Sequence, residues 1–318
     1  MKKVVLFGGG TGLTSILRSL KNEDLDLTVV VTTSDNGGST GKIREMYKMP
    51  APGDLRRAVV ALSTLPDIEE LINYRFDDRL DNHTIGNLIL TAFNEMSDDF
   101  ATAVEKYKIL LDVQAKIYPV TNESLEINAI MKDGSQIVGE TQMVNSDQQI
   151  EYVYYKRNVK ALQQVVDELL VADYIILSCG SLYSSILSNI VYDNILELYP
   201  SLKAKTIYVC NLMTEVGETE GYNVSDHVNA IEKHLHTGID YMLVNNNYNV
   251  PFNIYQNYLR ENSSLVLLDE SKVSKNVNII ANDYVIISEG NHIRHNTELI
   301  CKDIMKIIGG DYGKDSSV

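Results

Sequence analysis

Residues 3–13 read Lys-Val-Val-Leu-Phe-Gly-Gly-Gly-Thr-Gly-Leu, an apolar run that passes directly into a glycine-rich turn. The apolar part is rich in residues that favour a buried β-strand. The segment Thr14 to Lys21 then places its apolar residues at helical spacing. A strand, a tight turn and a helix in this order are typical of the first unit of an open α/β sheet. We therefore predict a Rossmann-like three-layer α/β/α sandwich whose sheet is mostly parallel.

The glycine-rich turn is predicted to bind an anion. Glycine tolerates positive φ and lets backbone N–H groups approach a ligand without an intervening Cβ. The N-terminus of the following helix adds a partial positive charge, which favours a phosphate. The alternative is a tight turn that binds no ligand. The predicted ligand-binding residues here are Gly8, Gly9, Gly10, Thr11 and Gly12.

The glycine-rich segments match neither of two common nucleotide-binding sequence patterns. In the dinucleotide pattern G-x-G-x-x-G, the third glycine would fall on Leu13. In the P-loop pattern, the first glycine would fall on Asn36, and Ile43 follows the lysine. The sequence therefore predicts phosphate or nucleotide binding without identifying the nucleotide.

A second polar, glycine-rich loop follows the next predicted strand, Leu27 to Thr33. If the first two strands are neighbours joined by a right-handed crossover, both loops open at the same edge of the sheet. We therefore expect the two loops to face one pocket. The predicted ligand-binding residues of this second loop are Asp35, Asn36, Gly37, Gly38 and Ser39.

A proline-rich entry precedes a helix predicted over Leu55 to Ser63, with Asp54 as its N-cap. Arg56 and Arg57 would then lie in the first helical turn, where a cation is unfavourable unless an anion is close. Arg56 is therefore a predicted ligand-binding residue. A solvated surface pair is the alternative interpretation of the two arginines.

The rest of the chain continues the α/β alternation with one interruption. Short strand-like runs within 117–156, with a hairpin signal at Asp133-Gly134, predict an antiparallel β insertion. A helix is predicted over Tyr183 to Tyr199, and a late strand over Leu265 to Leu268. We expect a single domain over residues 1–310. A disordered tail is expected over residues 311–318.

The composition of the chain argues against nucleic-acid binding and against a membrane-spanning protein. The chain has 318 residues, of which 44% are hydrophobic, and a net charge of −15. This acidity disfavours binding to nucleic acid or to an anionic membrane. No apolar stretch reaches the roughly 20 residues that a membrane span requires. The three widely spaced cysteines predict buried thiols rather than disulfides or a zinc site. We expect a cytoplasmic protein, and its oligomeric state, including a homo-oligomer, stays open.

The ordered set of motifs resembles the YvcK proteins, also called GlmR or gluconeogenesis factors, which are relatives of the 2-phospho-L-lactate transferases (CofD). The resemblance covers nearly the whole chain. The matching segments are Gly8 to Leu13, Ser34 to Ser39, Pro52 to Arg56, His83 to Asn87, Gly180 to Tyr183, Cys210 to Thr214, Gly217 to Thr219, Ser225 to Val228 and Arg294-His295.

This resemblance implies a crevice that binds nucleotides, notably UDP-N-acetylglucosamine (UDP-GlcNAc). It implies a role in cell-wall precursor supply and cell shape during growth on gluconeogenic carbon sources, with glucosamine-6-phosphate synthase as a partner. Tyr258 and Arg294 resemble the tyrosine and arginine associated with sugar-nucleotide binding. In the related transferases, the crevice holds a guanosine nucleotide and magnesium, and a phospholactyl group is transferred.

The chain departs from the family pattern at three places. Asp35-Asn36 stands where an acidic pair is frequent, which gives a poorer magnesium site because hard cations prefer charged oxygens. Ser178-Cys179 replaces a Gly-Pro, and Asn296 stands where His-Asp is common. The first departure weakens the transferase interpretation.

Three functional hypotheses remain. The first is a nucleotide-sugar-binding regulator in which the glycine loops hold the diphosphate and Arg294 adds a charge-assisted bond. The second is a magnesium-dependent transferase, with Asp35 as the metal ligand and Asp54 or His83 orienting the acceptor. The third is an NAD-dependent oxidoreductase, although NAD could also occupy the crevice without reacting. Further predicted ligand-binding residues are Asn87, Gly180, Ser181, Asn211 and Thr214.

Overall fold

A computed structural model describes residues 1–65, 67–156 and 158–310. The tail predicted over 311–318 lies outside the described residues. The strands are β1 Lys2–Gly8, β2 Leu25–Val31, β3 Lys116–Pro119, β4 Asn128–Met131, β5 Gln136–Val138, β6 Ile150–Tyr154, β7 Tyr174–Leu177, β8 Lys205–Val209, β9 Tyr241–Asn245, β10 Asn278–Asn282, β11 Val285–Ile287 and β12 Ile293–His295.

Seven of these strands form a parallel sheet in the order β10-β9-β8-β7-β1-β2-β3. Strand β1 lies between β2 and β7, so that Gly8 pairs with Val31 and Phe7 pairs with Leu177. The chain therefore continues from β1 to β2 and β3 on one side of β1 and later returns to β7 on the other side of β1. In open α/β sheets, ligands bind outside the carboxyl ends of the strands at such a point.

Helices cover both faces of this sheet. They are α1 Gly10–Leu20, α2 Gly38–Tyr47, α3 Gly53–Leu62, α4 Ile68–Asn73, α5 Ile85–Glu95, α6 Phe100–Leu110, α7 Glu140–Val144, α8 Gln163–Val171, α9 Asp193–Leu198, α10 Val224–Leu235, α11 Phe252–Arg260 and α12 Thr297–Gly309.

Alternate residues of β1 enter two separate hydrophobic cores, as the side-chain period of a strand requires. Val4 and Leu6 pack with α1, α3, α6 and α12 on one face, whereas Val5 and Phe7 pack with α8 and α10 on the other. The predicted three-layer α/β/α fold is confirmed. Across the described ranges, no helix combines the length and the apolar character needed to cross a membrane.

The first helix begins earlier than predicted. Helix α1 begins at Gly10 rather than Thr14, so the second half of the glycine turn forms its first helical turn. Gly9 is the N-cap and supplies no side-chain hydrogen bond. The backbone N–H groups of this turn therefore lie at the carboxyl end of β1, where the sequence predicted an anion site.

The antiparallel insertion is smaller than predicted and contains a helix. Its sheet has the order β5-β4-β6, whereas residues 116–119 form β3 at the edge of the main sheet. Residues 137–144 form one of the strand-like runs in the sequence, but the strand ends at Val138, and helix α7 follows. Gly139 has a φ of 90°, which ends the strand, and the side chain of Asn36 accepts a hydrogen bond from the backbone of Thr141.

The helix predicted over 183–199 is also interrupted. A π-helical turn covers Leu182–Ile186, a 3-10 turn covers Leu187–Asn189, and α9 begins at Asp193. The Asn189 amide donates to the carbonyls of Gly8 and Ser185, which draws this segment against the end of β1. Side chains that bond backbone groups in this way compete with regular helix.

Two late features differ from the expectation. The segment predicted as a strand over 265–268 makes only an isolated bridge between Leu265 and Met213. A strand is predicted from the sequence over Tyr284 to Ser288 and corresponds to β11, whereas its antiparallel pairing with β12 and helix α11 were not predicted. Both elements lie at the carboxyl edge of the sheet, where they complete the candidate site.

Candidate functional site

A cavity of about 640 Å³ opens at the carboxyl edge of the sheet. Its walls are the first turn of α1, the loop after β8, the end of α11 and the β11–β12 hairpin. It brings together residues that are far apart in the sequence. Predicted ligand-binding residues that line it are Thr11, Gly12, Asn211, Thr214, Tyr258 and Arg294.

Glycines in the first turn allow two loops to touch. A Cβ at Gly8 would lie 2.1 Å from Ser178 Oγ, and one at Gly12 would lie 2.6 Å from the carbonyl oxygen of Cys179. A side chain at Gly8 would therefore have to displace the Ser178 hydroxyl. Gly12 is required by packing, because a side chain there would meet backbone atoms of the loop after β7. Gly12 also lines the cavity, where the exposed Thr11 lies beside it.

Asp54 occupies part of the predicted anion site. Helix α3 begins at Gly53 with Pro52 as its N-cap, so the prediction of Asp54 as the N-cap is wrong. Instead, Asp54 Oδ2 accepts a hydrogen bond of 2.8 Å from the Gly10 N–H, and Oδ1 accepts one from Arg57. The turn thus already binds a carboxylate at Gly10, and the part of it that faces the cavity begins at Thr11.

The wall opposite α1 comes from the hairpin and α11. The Tyr258 hydroxyl accepts a hydrogen bond of 2.9 Å from the Ile293 N–H, which joins the two elements. Arg294 is exposed and donates to the adjacent carbonyl of Ile293. His295 donates from Nε2 to the Cys210 carbonyl at 3.0 Å, and burial lowers its pKa to about 4. His295 is therefore neutral near pH 7, and Arg294 is the cation among the lining residues.

Asn211 and Thr214 are held firmly in the loop after β8. The Asn211 amide donates to the Gly180 carbonyl at 3.1 Å and accepts from the Tyr208 hydroxyl at 3.0 Å. Thr214 Oγ1 accepts from the Ser264 N–H at 2.8 Å. These bonds fix the cavity wall, which is a requirement for a preformed binding site.

The second glycine loop lies outside the cavity lining. Asp35 Oδ1 accepts from the Gly37 N–H at 2.8 Å, and Ser39 Oγ lies 2.7 Å from Nδ1 of His83. Asn36 Oδ1 accepts from both the N–H and the hydroxyl of Thr141. Gly38, with a φ of 47°, begins α2. Ligand binding by these residues and a catalytic role for His83 stay predictions.

Four carboxyl groups cluster between the two glycine loops, and two of them, Glu140 and Glu218, were not predicted as site residues. Burial, followed by the charges of Asp35, Glu218 and Asp54, raises the pKa of Glu140 to about 8. Burial is also the main cause of the raised pKa of Asp35. Glu218 Oε2 accepts from the backbone N–H of Tyr183 at 2.8 Å.

This cluster does not fit a protein-built magnesium site. Among residues 1–65, 67–156 and 158–310, no group of three or more His, Cys, Asp or Glu side chains is arranged to hold a metal ion. Asp54 uses both oxygens in hydrogen bonds, and Asp35 uses one. No reaction of this protein is therefore assigned to a magnesium ion.

The other predicted residues lie outside the cavity lining. Arg56 is buried and donates to Asn73, and burial lowers its pKa to about 10, whereas Arg57 is the arginine that contacts Asp54. Asn87 is buried in the first turn of α5. Gly180 and Ser181 lead into the π-helical turn, and a Cβ at Gly180 would lie 3.1 Å from the Gly9 carbonyl.

Several lining residues were missed by the sequence analysis, chiefly Cys179, Glu215 and Ile286. Glu215 follows Thr214 directly in the loop after β8, so the rule that ligands lie at carboxyl ends of strands would have found it. Ile286 could not be found in this way, since its place depends on the fold of the late hairpin.

Comparisons with known proteins agree with this architecture. Residues 4–285 match the family model described as 2-phospho-L-lactate transferase CofD. The gluconeogenesis factor of Bacillus subtilis is 36% identical, with 96% of this chain and 98% of the relative covered. The gluconeogenesis factor of Halalkalibacterium halodurans is 34% identical, with 96% of each chain covered.

The fold of this chain is also similar to that of solved structures. A crystal structure of a Bacillus halodurans protein superposes with a TM-score of 0.92 at 34% sequence identity, covering 96% of this chain and 99% of that one. The family model and the full-length relatives together carry the assignment. The chain therefore belongs to the YvcK-type gluconeogenesis factors within the CofD family.

Proposed function

We propose that this protein is a regulator that binds UDP-GlcNAc in the cavity at the carboxyl edge of the sheet. In this proposal it sustains cell-wall precursor supply and cell shape on gluconeogenic carbon sources, in the cytoplasm, by acting on glucosamine-6-phosphate synthase. The observation that carries the binding proposal is the convergence of Thr11, Gly12, Tyr258 and Arg294 on one cavity. Relatives named gluconeogenesis factors support the physiological role.

The proposed pose follows from the charges and donors of the cavity. The diphosphate lies against the first turn of α1, where backbone N–H groups and the helix dipole favour an anion. Arg294 adds charge-assisted hydrogen bonds from the opposite wall. A cavity of about 640 Å³ lies within the range of small-ligand sites.

Arg294→Gln tests this pose. Isothermal titration of the wild-type protein with UDP-GlcNAc is expected to give saturable binding. The variant is expected to bind about tenfold more weakly or worse, because a hydrogen bond to a charged group contributes roughly 1.5–3 kcal/mol. Arg260→Gln is the control, since Arg260 is exposed on α11 and lies outside the lining. Wild-type protein that does not bind millimolar UDP-GlcNAc would contradict the proposal.

The alternative is a magnesium-dependent phospho-group transferase, which the name of the matching family model favours. The poor fit of Asp35 and Asp54 to a magnesium site favours a regulator instead. Incubation of UDP-GlcNAc with the protein and magnesium distinguishes the two. We expect the nucleotide sugar to stay intact over hours by chromatography, whereas release of a uridine nucleotide at a catalytic rate would support the transferase.

A further inference from the structure

The cavity carries negative charge on its own wall. Glu215 lines it in the loop after β8, and Glu261 lines its rim at the end of α11. The cation among the lining residues is Arg294. A nucleotide in this cavity therefore meets one positive group and two carboxyl groups, in a chain whose net charge is −15.

The position of Glu215 is set by the surrounding loop rather than by an ion pair. Its backbone N–H donates to Thr219 Oγ1 at 2.9 Å, and its carboxyl group interacts with the Ser181 hydroxyl. Electrostatic interactions link Glu215 to Glu218 of the same loop and to Cys179 and Tyr208 of neighbouring elements. The other titratable groups that line the cavity are Tyr258, Glu261, Arg294 and His295.

In a cavity of this size, a carboxylate on the wall repels the phosphate groups of the ligand in any pose. A sugar nucleotide carries about two negative charges, whereas a nucleoside triphosphate carries roughly four near neutral pH, so a wall carboxylate disfavours the triphosphate more strongly. We propose that Glu215 is a specificity-determining residue that selects nucleotide sugars over nucleoside triphosphates. This inference rests on the proposed function and adds the basis of its selectivity.

The ionisation of Glu215 makes this selectivity depend on pH. Burial, followed by the charge of Glu218, raises the pKa of Glu215 above that of an ordinary glutamate. Glu215 therefore ionises at a higher pH than an exposed glutamate does. Discrimination against triphosphates then increases as the pH rises and Glu215 becomes charged.

The test compares binding of UDP-GlcNAc and of UTP, each titrated into metal-free protein at pH 6 and at pH 8. The selectivity is the ratio of the two dissociation constants. Because the terminal phosphate of UTP itself titrates in this range, the decisive quantity is the selectivity of wild type relative to Glu215→Gln. We expect it to be about tenfold in favour of UDP-GlcNAc at pH 8 and smaller at pH 6.

Glu220→Gln is the matched control, since Glu220 lies in the same loop but outside the lining, and it is expected to behave as wild type. Equal selectivity in wild type and Glu215→Gln at pH 8 would overturn this inference while leaving UDP-GlcNAc binding intact. If neither protein binds UDP-GlcNAc at either pH, the proposed function itself fails. Thermal melting of each variant without ligand shows whether it is folded.

Discussion

Single residues of the first turn combine packing with access to the cavity. Gly12 lines the cavity, and its Cα lies so close to the loop after β7 that a side chain would meet the Cys179 backbone. Because backbone atoms cannot move aside as the end of a flexible side chain can, this glycine couples the geometry of the two loops. The need for glycine here is therefore structural.

Gly12→Ala is expected to destabilise the protein. The added Cβ would lie 2.6 Å from the Cys179 carbonyl oxygen, and overpacking of this kind costs about 1–3 kcal/mol. Thermal unfolding should show a lower Tm. Gly238→Ala is the control, because its Cβ would meet only the Glu232 side chain at 3.3 Å. Equal melting of Gly12→Ala and wild type would show that the two loops can separate at little cost.

Among the elements, α7 bridges the two sides of the crevice. Its first residues are held by Asn36 of the second glycine loop, and its last residue packs against Gly217 of the loop after β8. Glu140 at its start is thereby placed beside Asp35, Asp54 and Glu218. Helix α7 of the antiparallel insertion therefore connects the second glycine loop to the loop after β8 at the carboxyl edge of the sheet.

Asn36→Ala tests this bridge. The variant removes the acceptor for the Thr141 N–H and hydroxyl, a loss comparable to that of a helix cap, which costs about 0.5–2 kcal/mol. Hydrogen exchange is expected to accelerate at residues 140–145 while the core strands stay protected. The exposed Asn22 gives a control, Asn22→Ala. Unchanged exchange in α7 would mean that packing against Gly217 alone holds it.

The sequence predicted elements whose signals are local. The apolar run before Gly8 and the apolar spacing after it identified β1 and α1. The loops at the strand ends identified four lining residues, and the family resemblance identified Tyr258 and Arg294. The break in the helix predicted over 183–199 was missed because it depends on the hydrogen bond from the Asn189 amide to the Gly8 carbonyl, a contact that is set by the tertiary fold. The hydrogen bond from Arg56 to Asn73 was missed for the same reason, because it also depends on the tertiary fold.

At the scale of the whole molecule, buried ionisable groups set how stability varies with pH. The folded protein raises the pKa of Glu140 from 4.5 to about 8, chiefly by burial. This group contributes stability below pH 4.5 that is lost as the pH rises towards 8. Burial lowers the pKa of His295 and of His234 from 6.5 to about 4, so their contribution is present above pH 6.5 and lost as the pH falls.

Glu140→Gln is expected to flatten the alkaline side of this profile. The amide does not ionise beside Asp35, Asp54 and Glu218, so the fall in Tm between pH 6 and pH 8 should become shallower. The acid side should be unchanged, because the histidines are intact. Glu45→Gln, at an exposed position on α2, is the control. Parallel profiles for Glu140→Gln and wild type would show that Glu140 is not the source of the pH dependence.

We propose that the carboxyl edge beside β1 holds the diphosphate of a nucleotide sugar, and a crystal structure of the protein with UDP-GlcNAc would locate it. We expect diphosphate density against the N–H groups of Thr11 and Gly12, with the Arg294 guanidinium within hydrogen-bonding distance of a phosphate oxygen. Density for the ligand elsewhere, or an empty cavity at saturating UDP-GlcNAc, would contradict it.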